Sequence, residues 1–275
     1  KRSCGLKPEI SSSSKKICLA ILFEDALCFI IVVKEVSRFT RIWMQTILPP
    51  AISMTLYFVI FGGLIGSRIG TMNGFNYIDY IAPGIIMMSI INNSYANVVS
   101  SFYGAKFQRH IEEMLVAPIP NFIILAGFVT GGVVRGLLVG FVVTIVALFF
   151  TDLQVHNFTI TIAVVLMTSI VFSLAGMINA IFANKFDDIS IIPAFVLTPL
   201  IYLGGVFYSI DLLPVFWQKV SAFNPILYMV NAFRYGLLGE SDISISHAFI
   251  MLIIFTITLL IISLQLLNRG VGIKS

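Results

Sequence analysis

The chain has very little charge. Only 11% of its 275 residues are Asp, Glu, Lys or Arg, whereas 58% are hydrophobic, and its mean hydropathy is +1.00. Soluble domains carry about a quarter of charged residues, so this composition excludes a soluble globular domain. Because the apolar runs are long and do not alternate with polar residues, they predict membrane-spanning helices and exclude an outer-membrane barrel.

Several absences limit the chemistry of the chain. The cysteines Cys4, Cys18 and Cys28 all precede the first apolar run, so we expect no disulfide, and their spacing matches no metal site. No Gly-x-x-x-x-Gly-Lys-Ser/Thr loop is present to hold ATP phosphates, and the histidines lie in separate connections. We therefore expect no enzyme activity, catalytic residue, cofactor or metal on this chain. The net charge of +4 follows from membrane topology and requires no nucleic-acid partner.

Six apolar segments are long enough to cross a hydrocarbon core of ~30 Å. They are approximately residues 46–66, 81–102, 127–150, 159–182, 189–208 and 248–268. No acidic residue lies in the interior of any of them, which argues against a proton-coupled carrier. The predicted fold class is an all-α membrane protein with six transmembrane helices. It also has an N-terminal amphipathic interfacial helix, a cytoplasmic coupling helix between the second and third spans, and short re-entrant helices before the last span.

Lys and Arg are distributed unequally between the two sides of these spans. Most lie on the side that holds both termini and Lys106, whereas the opposite side holds Arg68, Lys219 and Arg234. The cytoplasmic side carries the excess, so both termini are predicted to be cytoplasmic. We assign residues 28–275 to the transmembrane domain and give residues 1–27 no role.

Residues 34–47 predict a two-faced helix before the first span. One face is apolar, with Val36, Phe39, Trp43 and Ile47, and the other is polar, with Lys34, Arg38, Arg41 and Gln45. Such a helix lies in the lipid headgroup layer. It either fixes the topology or docks a cytoplasmic partner, and Pro49-Pro50 is expected to end it.

A charged segment at residues 105–116 interrupts the second and third apolar runs. Its apolar stripe consists of Phe107, Ile111, Met114 and Leu115, and its other side carries Lys106, Arg109 and Glu113. Such a helix fits a groove on a partner protein; the alternative is a surface helix that packs this stripe on its own membrane domain. Pro118 and Pro120 end the helix, and Asn121 is expected to cap the next one.

The segment 209–247 lies on the side opposite the predicted cytoplasmic side, which we call the far side. It is too apolar for a solvated loop, and its apolar stretches are too short to cross a membrane. Helices are predicted to begin at Pro214 and at Asn224-Pro225. Short re-entrant or interfacial helices fit best, and they form either a gate or an extracellular cap without a gating role. The candidate gate residues are Pro214, Trp217, Asn224, Pro225, Tyr228 and Arg234.

Glycines, an arginine and asparagines inside the predicted spans each allow two interpretations. Gly132, Gly136 and Gly140 allow close helix approach, within one subunit or at a dimer seam. Arg135 either snorkels at the cytoplasmic end of the third span or contacts a substrate. Polar side chains in the second span form interhelical hydrogen bonds or line a pathway, and the pathway candidates are Asn92, Asn93 and Asn97.

Three ordered segments resemble the type-2 ABC transporter permease family. Residues 107–120 are similar to its cytoplasmic signature, a charged stretch with Glu before Leu-Val-x-Pro-x-Pro, although Ile111 and Glu112 stand where members more often have Gly-Thr. Lys34-Glu35, Arg38-Phe39 and residues 45–50 resemble the family's amphipathic segment. Leu213-Pro214, residues 224–226 and Arg234 resemble the segment before the last span.

The resemblance implies a permease subunit of the bacterial inner membrane. Such subunits dimerise, contact membrane lipid and pair with a separate ATP-binding subunit, which binds ATP and Mg and drives export. The residues implied to contact that subunit are Lys106, Phe107, Arg109, Ile111, Glu112, Glu113, Met114 and Leu115. A stand-alone secondary transporter and a non-transporting membrane scaffold are the alternatives, and the sequence does not identify the substrate.

Overall fold

The structure is a computed structural model that describes residues 29–116 and 119–272, without the side chain of Leu115. The assignments made for residues 1–27, for the three cysteines and for Pro118 lie outside the described residues. The described part is mostly helical. We number its helices α1 (29–41), α2 (Trp43–Ile69), α3 (Tyr77–Phe107), α4 (His110–Val116), α5 (Asn121–Leu148), α6 (Phe158–Phe182), α7 (Asp188–Tyr202), α8 (Val215–Ala222), α9 (Pro225–Leu238) and α10 (Ile245–Arg269).

Helix α3 lies at the centre of the bundle. It packs against α5, α6 and α9, and most of its side chains are buried. Four described helices, α2, α5, α6 and α10, are long and apolar enough to cross a membrane. The other two predicted spans correspond to the central helix α3 and to the shorter helix α7, which ends at Tyr202 and not at 208.

Two irregularities mark the helices α2 and α7. Each contains a π-helical stretch, at Phe58–Ile65 and at Pro193–Leu197 respectively. Between α2 and α3 the chain forms a small antiparallel hairpin, β1 (Thr71–Met72) and β2 (Phe75–Asn76). Its turn residues Asn73 and Gly74 have φ values of 50° and 85°, as a tight hairpin of this type requires.

The predicted break at Pro49-Pro50 is wrong. Both prolines lie inside α2, and the chain leaves helical geometry earlier, at Ile42, where φ is −107° and ψ is 36°. A proline fixes φ near the helical value and removes one N–H donor, so a helix can continue through it at the cost of a hydrogen bond. The Thr46 hydroxyl donates to the carbonyls of Phe39 and Ile42, which ties the two helices together across the break.

The glycines of α5 are packed inside the chain. A Cβ on Gly140 would lie 2.6 Å from Ile90 Cγ1 of α3, and one on Gly132 would lie 2.6 Å from Val98 Cγ2. On Gly131 it would lie 2.7 Å from the Cβ of Glu35, on α1. These distances are shorter than real contacts allow, so the missing side chains let α1 and α3 approach α5 closely. The structure supports the reading of packing within one subunit.

Helix α1 turns a different face inward from the one predicted. Its buried residues, at intervals of four, are Ile31, Glu35 and Phe39. Trp43, which was predicted on the same face as Phe39, is exposed in α2. Glycines 127 and 131 of α5 lie beneath Ile31 and Glu35. The contacts with α5 therefore select the buried face, and this selection depends on the partner helix as well as on the sequence of α1.

Candidate functional site

Helix α4 is joined to the end of α3 by a tight turn. Arg109 has φ of 61°, in the left-handed region that residues other than glycine seldom adopt, and its N–H donates to the Lys106 carbonyl at 3.0 Å. The Glu112 N–H in turn donates to the Arg109 carbonyl at 3.1 Å. This turn fixes the direction of α4 relative to the central helix.

The predicted apolar stripe of α4 is divided between two environments. Ile111 is only 1% exposed and packs in a cluster with Phe102, Tyr103 and Ile124, while Met114 is half-buried against the same cluster. The stripe was expected to meet a partner, but Ile111 and Met114 instead attach α4 to its own bundle. The outer surface consists of Phe107, Arg109, His110, Glu112, Glu113 and Val116, which are all exposed. We call these six residues the outer α4 surface.

Lys106 was expected to contact the partner, but its ammonium group is engaged inside the chain. Its Nζ donates to the carbonyls of Ile181 at 2.8 Å and Ala183 at 2.6 Å, at the C-terminal end of α6. A cation is favourable at this end because the last helical carbonyls have no partner within the helix. Burial lowers the pKa of Lys106, and the nearby Asp188 carboxylate partly opposes that shift.

The loop between α6 and α7 adds an aromatic residue to this end of the bundle, one that the sequence patterns did not single out. Phe186 is 56% exposed, and its ring packs edge-on against Tyr103 at 4.9 Å and Phe107 at 5.1 Å. The Asp188 carboxylate accepts the backbone N–H groups of Asn184 and Lys185, both at 2.9 Å, which holds the loop in place. These two hydrogen bonds lower the pKa of Asp188.

A second group of polar side chains lies between α1, α3 and α5, which we call the inner arginine cluster. It consists of Glu35, Arg38, Asn93, Asn97, Ser101 and Arg135. The Ser101 hydroxyl donates to Glu35 Oε1 at 2.6 Å, and Arg38 Nη2 lies 3.3 Å from Glu35 Oε2. Arg38 Nη2 also donates to Asn97 Oδ1 at 2.8 Å and to its carbonyl at 3.2 Å. Arg135 Nη2 donates to Asn93 Oδ1 at 3.4 Å.

The inner arginine cluster changes three predictions. Arg38 was placed on the outer polar face with Lys34 and Arg41, but its guanidinium turns inward, while the other two remain exposed. Arg135 lies about 21 Å along α5 from its first residue, Asn121, so it does not mark the cytoplasmic end of that helix. Asn93 and Asn97 contact these arginines, whereas Asn92 is half-buried. The sequence patterns did not identify Glu35 as a buried charge, because it stands outside the predicted spans.

Asn121 also differs from its predicted role. It is the first residue of α5, whose N-cap is Pro120, and no side-chain cap is formed there. The Asn121 amide donates to the Asn268 side chain at 2.7 Å and so connects the start of α5 to the end of α10.

The far-side candidates separate into a buried part and an exposed part. Pro214 precedes the exposed helix α8, which carries Trp217, and Tyr228 donates through its hydroxyl to the Ala222 carbonyl at 2.7 Å. Asn224 caps α9, where Pro225 is the first residue; its Oδ1 accepts the Ile226 N–H at 3.0 Å.

Arg234 of α9 is completely buried, and both of its terminal nitrogens are engaged. Its guanidinium lies 4.1 Å from the centre of the Tyr80 ring, and its Nη2 donates to the Gly205 carbonyl at 2.7 Å. Its Nη1 lies 3.6 Å from Asp242 Oδ2 and donates to Asn231 Oδ1 at 3.3 Å. These contacts join α3, α9 and the segments on both sides of α9. Arg234 therefore holds the far side together.

The described residues form no group of three or more His, Cys, Asp or Glu that could hold a metal ion. The arrangement is thus a bundle of apolar helices with a partly exposed polar helix at one end and polar clusters inside. It defines a helical, multi-pass membrane protein.

Comparison with known proteins agrees with this class. Residues 26–238 match the model of the ABC-2 type transporter family. The chain is 57% identical over 242 residues to the "Inner membrane transport permease YadH" of Escherichia coli K12, covering 88% of this chain and 94% of the relative. It is 24% identical over 215 residues to "Nodulation protein J" of Rhizobium leguminosarum bv. viciae, covering 78% and 83% respectively. The chain belongs to the ABC-2 type transporter family and is a membrane transport permease, which confirms the resemblance seen in its sequence.

Proposed function

We propose that the chain is the transmembrane subunit of an ATP-driven exporter of the bacterial inner membrane. Two copies form the pathway, and each binds a separate ATP-binding subunit through the segment 105–116. Family membership and the inner-membrane relative support this proposal. ATP and Mg belong to the partner subunit. The six spans are α2, α3, α5, α6, α7 and α10, and the distribution of Lys and Arg supports cytoplasmic termini.

The observation that carries the proposal is the rigid connection between α4 and the central helix. Ile111 and the turn at Arg109 fix α4 to α3, and Lys106 ties the same point to α6. A displacement of the outer α4 surface would therefore be transmitted to the helices at the centre of the bundle. A docking helix must have this property if nucleotide binding on another subunit is to change the conformation of the membrane domain.

The pathway follows the face of α3 that its own bundle leaves partly uncovered. Met88 and Asn92 are half-buried, and Ala96 and Ser100 are exposed on this otherwise buried helix. These residues recur every four positions, so they form one stripe along the helix. We call Met88, Asn92, Ala96 and Ser100 the open face of α3. In a dimer this face lines the space between the two subunits.

The test is reconstitution with an ABC-class ATP-binding subunit from the same genome. We expect co-purification and a higher ATPase rate than that of the ATP-binding subunit alone. The double variant E112K/E113K reverses two exposed charges of the outer α4 surface and is expected to lower this stimulation at least about tenfold, with an unchanged thermal midpoint. Arg41→Glu on the exposed side of α1 is the matched control, since it alters an exposed charge outside the proposed interface. An intact chain that neither binds nor stimulates any such subunit contradicts the proposal.

A stand-alone secondary carrier is the second candidate, and the buried carboxylate of Glu35 is the observation that favours it. Ion-coupled carriers use buried acidic residues as relays. In this structure Glu35 is paired with Arg38 and Ser101, which suits a fixed structural charge better than a proton relay. Uptake driven by a proton gradient, in vesicles that contain only this chain, would establish the carrier. A non-transporting scaffold predicts that variants of the open face of α3 leave every transport phenotype unchanged.

A further inference from the structure

Among the described residues, the inner arginine cluster leaves more buried donors without a partner than the Arg234 site does. Arg234 is held by an aromatic ring, a carbonyl, an amide oxygen and a carboxylate. In the inner arginine cluster, all three hydrogen bonds of Arg38 come from Nη2, and Arg135 makes a single long one. A guanidinium carries N–H donors on all three of its nitrogens. The cluster therefore has donors to spare.

The spare donors are buried. Arg38 Nε, Arg135 Nε and Asn97 Nδ2 are shielded from solvent and have no hydrogen-bond partner within the part of the chain that the structure describes. Leaving a buried donor unsatisfied costs about 1–3 kcal/mol, and more for a charged group. Arg234 has one such atom, its Nε, whereas the cluster has three, and this difference indicates that a further acceptor completes the cluster.

The charges of the cluster point to the same conclusion. Glu35 is the one carboxylate among its six residues, and it pairs with Arg38. Arg38 and Arg135 donate to Asn97 and Asn93, which lie one turn apart on α3, so two cations share a single counter-charge. A net positive charge in the interior of a membrane protein is costly unless an anion accompanies it.

The cluster is also partly exposed, and it borders the open face of α3. The Arg38 side chain is 31% exposed, and Asn97, which it contacts, lies one position from Ala96. The Ser100 hydroxyl donates to the Asn97 carbonyl at 3.1 Å, so the open face and the cluster are in direct contact. An acceptor can reach the cluster through the exposed part of the Arg38 side chain.

We propose that Arg38 and Arg135 together bind the anionic group, a phosphate or a carboxylate, of an amphiphilic molecule at membrane depth. Two guanidinium groups can share the oxygens of such an anion through charge-assisted hydrogen bonds, and the surrounding apolar helices accommodate its hydrocarbon part. The inference that this site binds the anionic group of the transported molecule rests on the proposed function. Binding itself requires only the isolated chain.

The experiment measures binding of fluorescently labelled phosphatidylglycerol to the purified chain in a non-ionic detergent. Labelled diacylglycerol, which lacks the phosphate, is the comparison ligand. We expect tighter binding of phosphatidylglycerol, weakened about tenfold or more by Arg38→Gln and by Arg135→Gln. Arg135→Lys retains the charge without the planar donor set, so it should weaken binding less. Arg41→Gln, an exposed arginine of the same helix as Arg38, is the matched control and should have no effect.

Glu35→Gln distinguishes a binding defect from misfolding. Removing the competing carboxylate raises the positive charge of the cluster, so this variant should bind phosphatidylglycerol more tightly. A damaged fold cannot produce tighter binding.

Inorganic phosphate, added as a competitor, distinguishes a free anion from a lipid headgroup. If phosphate displaces the lipid at millimolar concentration, and this displacement is lost in Arg135→Gln, the free anion is the ligand. Equal binding of the two labelled ligands, or folded arginine variants with unchanged affinity, overturns the proposal. Failure to bind an ATP-binding subunit would leave this result unaffected.

Discussion

Single residues in this permease carry out tasks that their chemical type does not reveal. Lys106, Arg38 and Arg234 are all basic, yet the first caps a helix, the second binds Glu35 and Asn97, and the third is enclosed by four partners. The difference lies in which carbonyls, carboxylates and rings surround each cation. Predictions at this scale concern the cost of removing one of these groups.

Arg234→Gln is expected to destabilise the protein by about 3–5 kcal/mol, because it leaves the Asp242 carboxylate without its counter-ion. The measurement is the thermal unfolding midpoint in detergent. Arg68→Gln, an exposed arginine at the end of α2, is the control and should not alter the midpoint. The double variant R234Q/D242N should recover part of the loss, and a single variant as stable as the unsubstituted protein would contradict this role.

Gly136→Ala is expected to destabilise by about 1–3 kcal/mol, because the added Cβ would clash with the Ser94 side chain across the interface between α5 and α3. Gly63→Ala in α2 adds the same methyl group where no atom lies within 4 Å, so it is the matched control. Thermal midpoints compare the two. Equal midpoints would show that α5 and α3 are less closely packed than described.

At the scale of elements, the α4 end of the bundle is built by three segments that are distant in sequence. The end of α3, helix α4 and the loop after α6 meet through Ile111, Lys106 and Phe186. The apolar periodicity of residues 107–115 indicates a helix with two faces but does not say which of them faces a partner. In the structure, part of the apolar stripe packs inward, and the charged side with Phe107 faces outward.

The loop after α6 is expected to loosen in acid. The pKa of Asp188 is lowered in the folded protein, so its two hydrogen bonds contribute stability above the ordinary pKa of an aspartate and lose it as the pH falls through the lower folded value. Amide hydrogen exchange of Asn184 and Lys185, corrected for its intrinsic pH dependence, should show less protection below about pH 4. Asp188→Asn should lack this pH dependence. A wild-type profile that is flat across this range would refute the assignment.

At the scale of the whole molecule, the open face of α3 differs in polarity from the other exposed surfaces of the helices. Phe141 of α5 is strongly exposed and apolar, as a side chain against lipid would be, whereas the open face is small and polar around Asn92 and Ser100. This difference supports the proposed water-accessible pathway between two subunits.

Ala96→Cys is therefore expected to react with a water-soluble thiol reagent in the assembled transporter. The background is a chain in which Cys4, Cys18 and Cys28 are replaced by serine. Phe141→Cys, at a lipid-facing position, is the control and should react much more slowly. Labelling is followed by mass spectrometry. If the two cysteines react at the same rate, the open face does not line an aqueous pathway.

Local patterns account for the elements that the sequence predicted well. Long apolar runs indicate helices because the backbone needs internal hydrogen bonds in a membrane, and α2, α5, α6 and α10 follow from length and hydropathy alone. The same patterns failed where two elements compete for a residue. The break between α1 and α2 occurs at Ile42 and not at Pro49-Pro50. The buried face of α1 includes Glu35, because close packing on the α5 glycines outweighs the periodicity of α1.

The sequence by itself determined that this protein is a helical membrane permease of the ABC-2 type, because composition, apolar run length and a local signature are properties of the chain that need no partner segment. The tertiary structure alone decided which charges are satisfied. Glu35, Arg38, Asn97 and Arg135 lie on three helices, and nothing in their spacing brings them together. Burial and hydrogen bonding depend on what surrounds a side chain. Only the packed bundle shows that, among the described residues, the inner arginine cluster keeps three buried donors without a partner, against one at Arg234.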